Sequence, residues 1–497
     1  MYIVNKEQMY SSDRYTTEVI GIDEAILMEN AGQKMADEIV KLIPNSSSVT
    51  VFCGVGNNGG DGFVVARRLN QLGFNVNVVV VGDASRYKNS AYNNFKIYKN
   101  LGYNVFSYDS IDFSFFNVDV IVDAIFGIGF RGDISANFSD VILKINSSKA
   151  KVFSLDIPSG VYCDSNTPCN VAVKADYTLT VSFFKDSAFL YPARLNYGQI
   201  FLIDAGIVLN KSEIGSVKRL WGYSNFKNTF PKRRLNTNKS MEGKILIVGG
   251  SRNMVGALIL ATKSCFEAGA GLVFVATPEV VRAYVINNVF EATYIDCCEE
   301  LGFLTDFNID KNIDVLACGP GLGRKDVTRA VVKKAISLNV PVVLDADALY
   351  FLDNELLNAI KNRKFPTVLT PHVGEMARLC NCSAEYIENN RFSISKTKAV
   401  DWGAYIVLKG PNTVISTPSG TQIVNTSGNS GLSKGGTGDV LTGIISAFMA
   451  KHKNIEHAIL NAVYMHGRVS ELLVAEKLET NNTVNATKLI ANFSRFI

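Results

Sequence analysis

The feature that most constrains this chain is an alternation carried through it twice. In the first half, short β-branched runs (SVTVFCG, NVNVVVVG, VDVIVDAIFG, AKVFSLDIP and ADYTLTVS) are separated by helical stretches. The second half repeats the habit with GKILIVGG, GLVFVAT, IDVLACGPG, VPVVLDADA, PTVLTP and AYIVLKG. Near-continuous apolar strands alternating with helices predict parallel sheets covered on both faces, the α/β class. Between about 208 and 242 the texture turns polar and mixed. The boundary is expected there, with a first domain over 1–215 and a linker over 216–240 that merges into a second domain over 225–497.

Composition narrows the function classes. With 497 residues, 47% of them hydrophobic and 19% charged, the chain can bury two α/β cores. A formal charge of +4 and a longest basic run of only KRR at 232–234 give no nucleic-acid footprint; the run reads as solvated linker. The nine cysteines are scattered and lack the paired spacing of a zinc site, so they are expected as reduced, mostly buried thiols of a cytoplasmic protein. The start, MYIVNKEQMYSSDRY, has no apolar h-region, and no apolar run approaches a membrane span. A homo-oligomer is expected, with helices such as 14–43 available to pair subunits.

Within the first half, Gly54, Gly56 and Gly59 form a G-x-G-x-x-G after a strand and before a helix. That pattern alone reads equally as a tight turn. Asn57, Asn58 and Asp61 add polar side chains where a plain dinucleotide turn uses small residues. Asp123 and Asp156 each end a strand run, and ligands in open α/β sheets sit beyond the carboxyl ends of strands. Singly, each Asp reads as a cap or turn former; three such loops in one domain point to a site. Asn58, Asp123 and the hydroxyl or carbonyl of Ser159 are hard oxygen ligands for a monovalent or divalent cation. Asp156 is then the proton-handling group.

In the second half, CGPGLGR (318–324), LDADAL (344–349), LTPHVGEM (369–376) and KGPNT (409–413) follow successive strands. His372, one of only four histidines, stands at a strand end, where ligand contact competes with a hydrogen-bonded turn role. GNSGLSKGGTGDVLTG (428–443) then packs glycines before an apolar helix. No G-x-x-x-x-G-K-[ST] exists, so a phosphate chain is held by backbone N–H groups at that helix start. Lys409 and Lys434 either supplement them or are plain surface lysines. Asp439 would repel phosphate unless it takes the proton of an incoming hydroxyl, the general-base role in phosphoryl transfer to an alcohol. Its competing role is a helix N-cap.

LMENAG, GNNGGDG, DAIFGxGxRG and LDIPSG, followed by KADYTLTVSFFKDSAFLYPAR and GQIFLIDAGI, resemble the NAD(P)H-hydrate epimerase domain, a Rossmann-like three-layer α/β/α fold, over roughly residues 5–210. The resemblance implies that hydrated nicotinamide nucleotide contacts Asn57, Asn58, Gly59, Gly60 and Asp61, and also Gly127, Ile128, Gly129, Phe130, Arg131, Gly132 and Asp133. It implies potassium on Asn58, Asp123 and Ser159, and action of Asp156 on the hydroxyl-bearing carbon. Ile128 stands where the family usually has threonine. The G-x-G-D loop resembles the ribokinase-like superfamily. Its combination with CGPGLGR, LDADAL, LTPHVGE and KGPNT is similar to the ADP-dependent (S)-NAD(P)H-hydrate dehydratases over roughly 225–497. By that resemblance Ala257, Gly323, His372 and Asp439 contact the hydrate. Lys409, Gly410, Pro411, Asn412, Thr413 and Gly438 bind ADP, with Mg2+ accompanying it. Asn238–Lys239 departs from the His–Lys that members often carry.

The function expected is repair of hydrated NADH and NADPH: epimerisation of the R and S forms, then ADP-dependent dehydration of the S form. The loop chemistry by itself also fits a small-alcohol kinase, acting on a vitamin precursor, fused to a non-catalytic nucleotide-binding or protein-binding module. ADP over ATP follows from the resemblance only.

Overall fold

In a computed structural model that describes residues 1–496, the alternation becomes two units, Met1–Val217 and the remainder from Lys218. In the first, parallel strands lie in the order Val105–Ser107, Asn75–Val81, Ser48–Gly54, Val120–Ala124, Lys151–Leu155, Tyr177–Val181, Gln199–Ile203. The order reverses between Ser48–Gly54 and Val120–Ala124, which creates a crevice at their carboxyl ends. Successive strand residues point to opposite faces. Val49, Val51 and Cys53 therefore meet helices Glu24–Leu42, Asn57–Gln71 and Asn89–Asn100, while Phe52, Val79 and Ile121 meet Ala136–Ser147. This is the three-layer arrangement expected.

Gly32 of LMENAG lets two helices close together, since a Cβ there would sit 2.4 Å from Cβ of Val64 on Asn57–Gln71.

The second unit has parallel strands Thr293–Tyr294, Leu272–Ala276, Lys244–Val248, Val315–Cys318, Val342–Leu344, Thr367–Leu369 and Tyr405–Leu408 in that spatial order. Its switch point falls between Lys244–Val248 and Val315–Cys318. The parallel sheet expected carries an antiparallel addition at one edge, where Thr413–Ser416 and Gln422–Asn425 pair antiparallel, and Cys297–Glu300 forms a separate hairpin with Phe303–Phe307. Short hairpin strands joined by tight turns carry too little apolar periodicity to separate from loop. One core packs Thr437–Lys451 and Ile455–Ala475 onto Val315, Ala317, Val343, Val368 and Val407.

Part of the stretch read as linker is structured. Lys218–Trp221 is a strand parallel to Gln422–Asn425, and Tyr223–Thr229 is a helix whose Phe226 is buried in that core. The polarity around these residues hides the pairing. Lys232, Arg233 and Arg234 are exposed. All nine cysteines are free, and five are buried. Among the described residues no helix is long and apolar enough to cross a membrane.

Candidate active sites

In the first unit, helix Asn57–Gln71 begins at Gly56 with no side-chain cap, so its first amide groups are left for another acceptor. The helix start is pulled tight against its strand: a Cβ on Gly59 would lie 1.7 Å from the carbonyl oxygen of Gly54. Asn58, one residue before Gly59, is buried. Its Nδ2 donates to the carbonyl of Phe126 at 3.0 Å, and its Oδ1, also buried, has no hydrogen-bond partner among the described residues. Gly127 adjoins it, with a Cβ position 3.3 Å from the Asn58 Cβ.

Asp123 is fully buried and sits beside this group. Its carboxylate accepts from the Ser159 hydroxyl at 2.5 Å, the Ser159 amide at 2.9 Å and the Ser154 hydroxyl at 2.8 Å. Burial pushes its carboxyl up, and these hydrogen bonds oppose the rise. The Phe126 amide donates to the Ser159 hydroxyl at 2.8 Å, while the Ser159 carbonyl is taken by the Val173 amide. Asn58, Asp123 and Ser159 thus meet around the backbone of Phe126. An orphaned amide oxygen beside an anionic, oxygen-only set suits a hard monovalent cation.

Asp156 follows its strand at φ +63°, a left-handed conformation uncommon for aspartate. Its amide donates to the Leu179 carbonyl at 2.8 Å and its Oδ1 accepts from the Val181 amide at 3.0 Å. The same Oδ1 receives the Lys185 ammonium. Asp61, half-buried on the helix start, has its carboxyl pushed well up by burial and then by the charge of Asp156. The other residues expected at this site are more open. Asn57 donates to Glu24 at 3.0 Å; Gly129, Arg131, Gly132 and Asp133 are exposed, and Gly60 is buried against Met28. Ile128 is half-buried. Phe130 stacks on Phe126 at 4.8 Å and on Tyr162 at 5.3 Å, and its amide donates to the Gly127 carbonyl at 3.1 Å.

The strand-end loops of the second unit are bonded to one another. The Gly250 amide donates to Pro320, Gly319 to Val248, Asp345 to Cys318, Thr370 to Leu344 and Lys409 to Pro371, at 2.9–3.2 Å. Gly321 crosses close to the Gly-turn helix, its Cβ position 3.2 Å from Ala257. Asp347 fixes the next turn, accepting from the Gly323 amide at 3.0 Å and from Arg324 Nε at 2.8 Å. Gly410 and its neighbours wrap the buried Arg391, whose guanidinium donates to the carbonyls of Leu408, Lys409 and Asn412. Pro411 lies in this turn, and the Thr413 hydroxyl bonds back to Gly410 at 3.2 Å.

Helix Thr437–Lys451 starts at Gly436, φ +90°, again without a side-chain cap. Asp439 is its third residue, so the capping alternative is excluded; the Thr437 amide donates to the Lys434 carbonyl at 3.4 Å, and the Gly438 amide is left for an anion. Lys409 reaches the same place, its Nζ 3.5 Å from the Cβ position of Gly438. Burial, and then the charges of Asp345 and Asp347, push the Asp439 carboxyl up to about 7 against the pull of Lys409. Lys434 instead donates to the Asn482 carbonyl.

His372 resolves differently from a free ligand histidine. It caps helix Val373–Cys380, with Nδ1 accepting from the amides of Gly374 at 3.0 Å and Glu375 at 3.3 Å. An accepting Nδ1 places the proton of the neutral ring on Nε2, which lies 3.4 Å from Oε1 of Glu375.

Lys185, Asp345, Asp347, Arg391 and Thr442 were not anticipated from the sequence. Asp345 and Asp347 lie inside the quoted LDADAL, and a charged pair ending an apolar strand is the signal that would have found them. Arg391 and Lys185 sit far along the chain from what they hold.

Comparison with known proteins adds to this geometry. A family model described as NAD(P)H-hydrate dehydratase matches residues 245–494, and one described as YjeF-related protein N-terminus matches residues 24–187. The bifunctional NAD(P)H-hydrate repair enzyme of Thermofilum pendens is 35% identical over 493 residues, spanning 96% of this chain and 93% of that protein. That of Moorella thermoacetica is 33% identical over 489 residues, spanning 95% and 92%. The crystal structure of the ADP/ATP-dependent NAD(P)H-hydrate dehydratase from Bacillus subtilis, co-crystallised with ATP and Mg2+, superposes with a TM-score of 0.51 at 32% identity. It covers 56% of this chain and 97% of that one.

Proposed function

Because the chain belongs to the bifunctional NAD(P)H-hydrate repair enzymes, we propose that its first domain, 1–215, epimerises hydrated NADH and NADPH and its second, 225–497, dehydrates the S form. It is a bifunctional isomerase and lyase that returns damaged nicotinamide nucleotide to use. The observation that carries the dehydratase half is Asp439, not a cap, its carboxyl raised to about 7, in the first turn of an uncapped helix that Lys409 also reaches.

ADP, as its Mg2+ complex, lays its phosphates on the amides around Gly438 and against Lys409, with the Lys409–Thr413 turn beneath the nucleotide. Ala257, Gly323 and His372 border the hydrate. Asp439 takes the proton of the ring hydroxyl as its oxygen attacks the β-phosphorus, and AMP leaves. Hydroxyl is a poor leaving group and phosphate a good one. The C–O bond then breaks as the ring nitrogen pushes in, phosphate departs and loss of a ring proton restores the dihydronicotinamide. A small-alcohol kinase would stop at the phosphorylated product.

For the epimerase half, Asn58, Asp123 and Ser159 hold potassium. Bound there, the cation supplies a fixed positive charge for a substrate oxygen. Asn57, Gly59, Gly60, Asp61 and the 127–133 loop seat the nucleotide, and Asp156 handles the proton at the hydroxyl-bearing carbon. The protein acts in the cytoplasm as a homo-oligomer; Val19, Ile20 and Ile26, exposed near the start of the chain, support a subunit contact.

The test is to incubate the full chain with mixed hydrate epimers and ADP. Complete recovery of reduced-nicotinamide absorbance with equimolar AMP and phosphate is expected. A stable phosphorylated product, with ATP preferred, would instead select the kinase.

A further inference from the structure

Lys185 is among the most completely buried large side chains of the protein, with no exposed surface. A buried ammonium needs all three of its N–H groups satisfied. It has three acceptors: Oδ1 of Asp156, the Thr180 hydroxyl at 3.1 Å and the Val181 carbonyl at 2.9 Å. A pair this deep gains little over an apolar pair of the same volume, so stability alone is a poor reason for it.

The arrangement is asymmetric. Both the Lys185 ammonium and the Val181 amide bond Oδ1 of Asp156; Oδ2 takes neither. Asp156 retains slight exposure, and its backbone is held left-handed by the bond to Leu179. One carboxylate oxygen is therefore held by two donors, and the other takes no hydrogen bond among the described residues.

We propose that Lys185 is a positioning residue of the epimerisation site, which clamps Oδ1 of Asp156 so that Oδ2 is the base that takes the proton of the substrate's ring hydroxyl. The inference rests on the epimerase reading of this unit. In the step it serves, the O–H pair becomes a C=O bond, the bond from that carbon to the ring nitrogen breaks, and its electron pair goes to the nitrogen and the conjugated carboxamide. Rotation presents the other face, the nitrogen re-attacks, and the alkoxide recovers the proton from Asp156. No oxidant or co-reactant is needed. A loosened carboxylate would lose its aim, and misplacement on the scale of 1 Å costs on the order of 100-fold.

The experiment uses the full chain without ADP, following R-to-S conversion of the resolved epimers by chromatography. Lys185→Met should lower kcat about 100-fold while KM stays within about threefold, because binding groups are untouched. Dehydration of pure S-hydrate with ADP should be unchanged and reports that the other unit is intact. Because Lys185→Met leaves a buried carboxylate unpaired and can unfold its unit, Lys185→Ala is assayed with added ethylammonium, which should restore a saturable part of the rate. Full kcat in Lys185→Met, a loss expressed only in KM, or no restoration of Lys185→Ala would overturn the inference. Failure of the unaltered protein to interconvert epimers faster than buffer would instead overturn the epimerase reading beneath it.

Discussion

The Lys409 ammonium lies 2.9 Å from Oδ1 of Asp345, whose Oδ2 accepts the Thr442 hydroxyl at 2.6 Å. Asp345 comes from the end of strand Val342–Leu344, Lys409 follows Tyr405–Leu408, and Thr442 lies within Thr437–Lys451. One buried carboxylate thus ties the cation of the proposed phosphate cradle to the helix that forms it. Burial alone would raise the Asp345 carboxyl, but Lys409 and then Thr442 outweigh burial and hold it below its usual range. Replacing Lys409 with Met should weaken ADP binding at least about tenfold and destabilise the second unit by about 3–5 kcal/mol, since it strands a buried charge. Calorimetry with ADP and thermal melting check both. Unchanged affinity would remove Lys409 from the cradle.

Asp439→Asn should abolish ADP-dependent loss of S-hydrate, by about 100-fold or more, while ADP binding survives or tightens as a negative charge is lost. Near-normal turnover would sink the base role. Retained binding with lost turnover separates a base from a cradle residue.

The same carboxyl predicts a pH profile. Raised to about 7, Asp439 is protonated below that pH and unable to accept a proton, so kcat for dehydration should climb with pH through about 7 and level above it. Removing Lys409, which pulls the value down, should move this limb to higher pH; a limb belonging to ADP itself would stay. Linkage runs the other way. A folded value above the unfolded one favours folding below about pH 4, and that contribution is lost as pH rises through about 7. Asp439→Asn should accordingly raise the melting temperature at pH 8 and do so least near pH 4.

Two glycines of one motif should respond oppositely. Gly59→Ala drives a Cβ into the Gly54 carbonyl, 1.7 Å away, and should abolish epimerisation and soluble folding of the first unit. Gly56→Ala meets nothing within 4 Å, at an extended φ of −103°, and should be tolerated. Thermal melts and R-to-S assays distinguish the two.

Potassium should matter only to the first activity. Exchange of K+ for tetramethylammonium should slow R-to-S conversion and leave S-hydrate dehydration alone. Asn58→Ala, which deletes the orphaned Oδ1, should raise the K+ concentration needed. A K+-independent epimerase would remove the cation from Asn58, Asp123 and Ser159.

Motifs whose work is local were legible in the sequence. Gly56–Asp61 and Gly436–Asp439 announce a helix start by composition, and both became uncapped helix starts, the first directly after a strand. Asp123 and Ser159, 36 residues apart, could be paired because parallel sheets collect their carboxyl ends. Roles settled by long-range contact were not legible. Lys185 reads as an ordinary charge after a strand until Asp156, 29 residues earlier, is placed against it. Arg391 reads as a surface residue until the turn after Leu408 wraps it. His372 was ambiguous because a cap and a ligand site both favour a strand end, and the structure gives Nδ1 to the cap and sets Nε2 3.4 Å from Glu375. The antiparallel strands Thr413–Ser416 and Gln422–Asn425 were hidden in turn-rich sequence.

The central claim, that Asp439 activates the ring hydroxyl so that it leaves as phosphate, is tested most directly by labelling that hydroxyl with 18O. S-hydrate carrying the label is turned over with ADP, and the products are read by mass spectrometry. Phosphorylation of the hydroxyl followed by C–O cleavage predicts one 18O in each inorganic phosphate. Label recovered in water, with phosphate unlabelled, would contradict it.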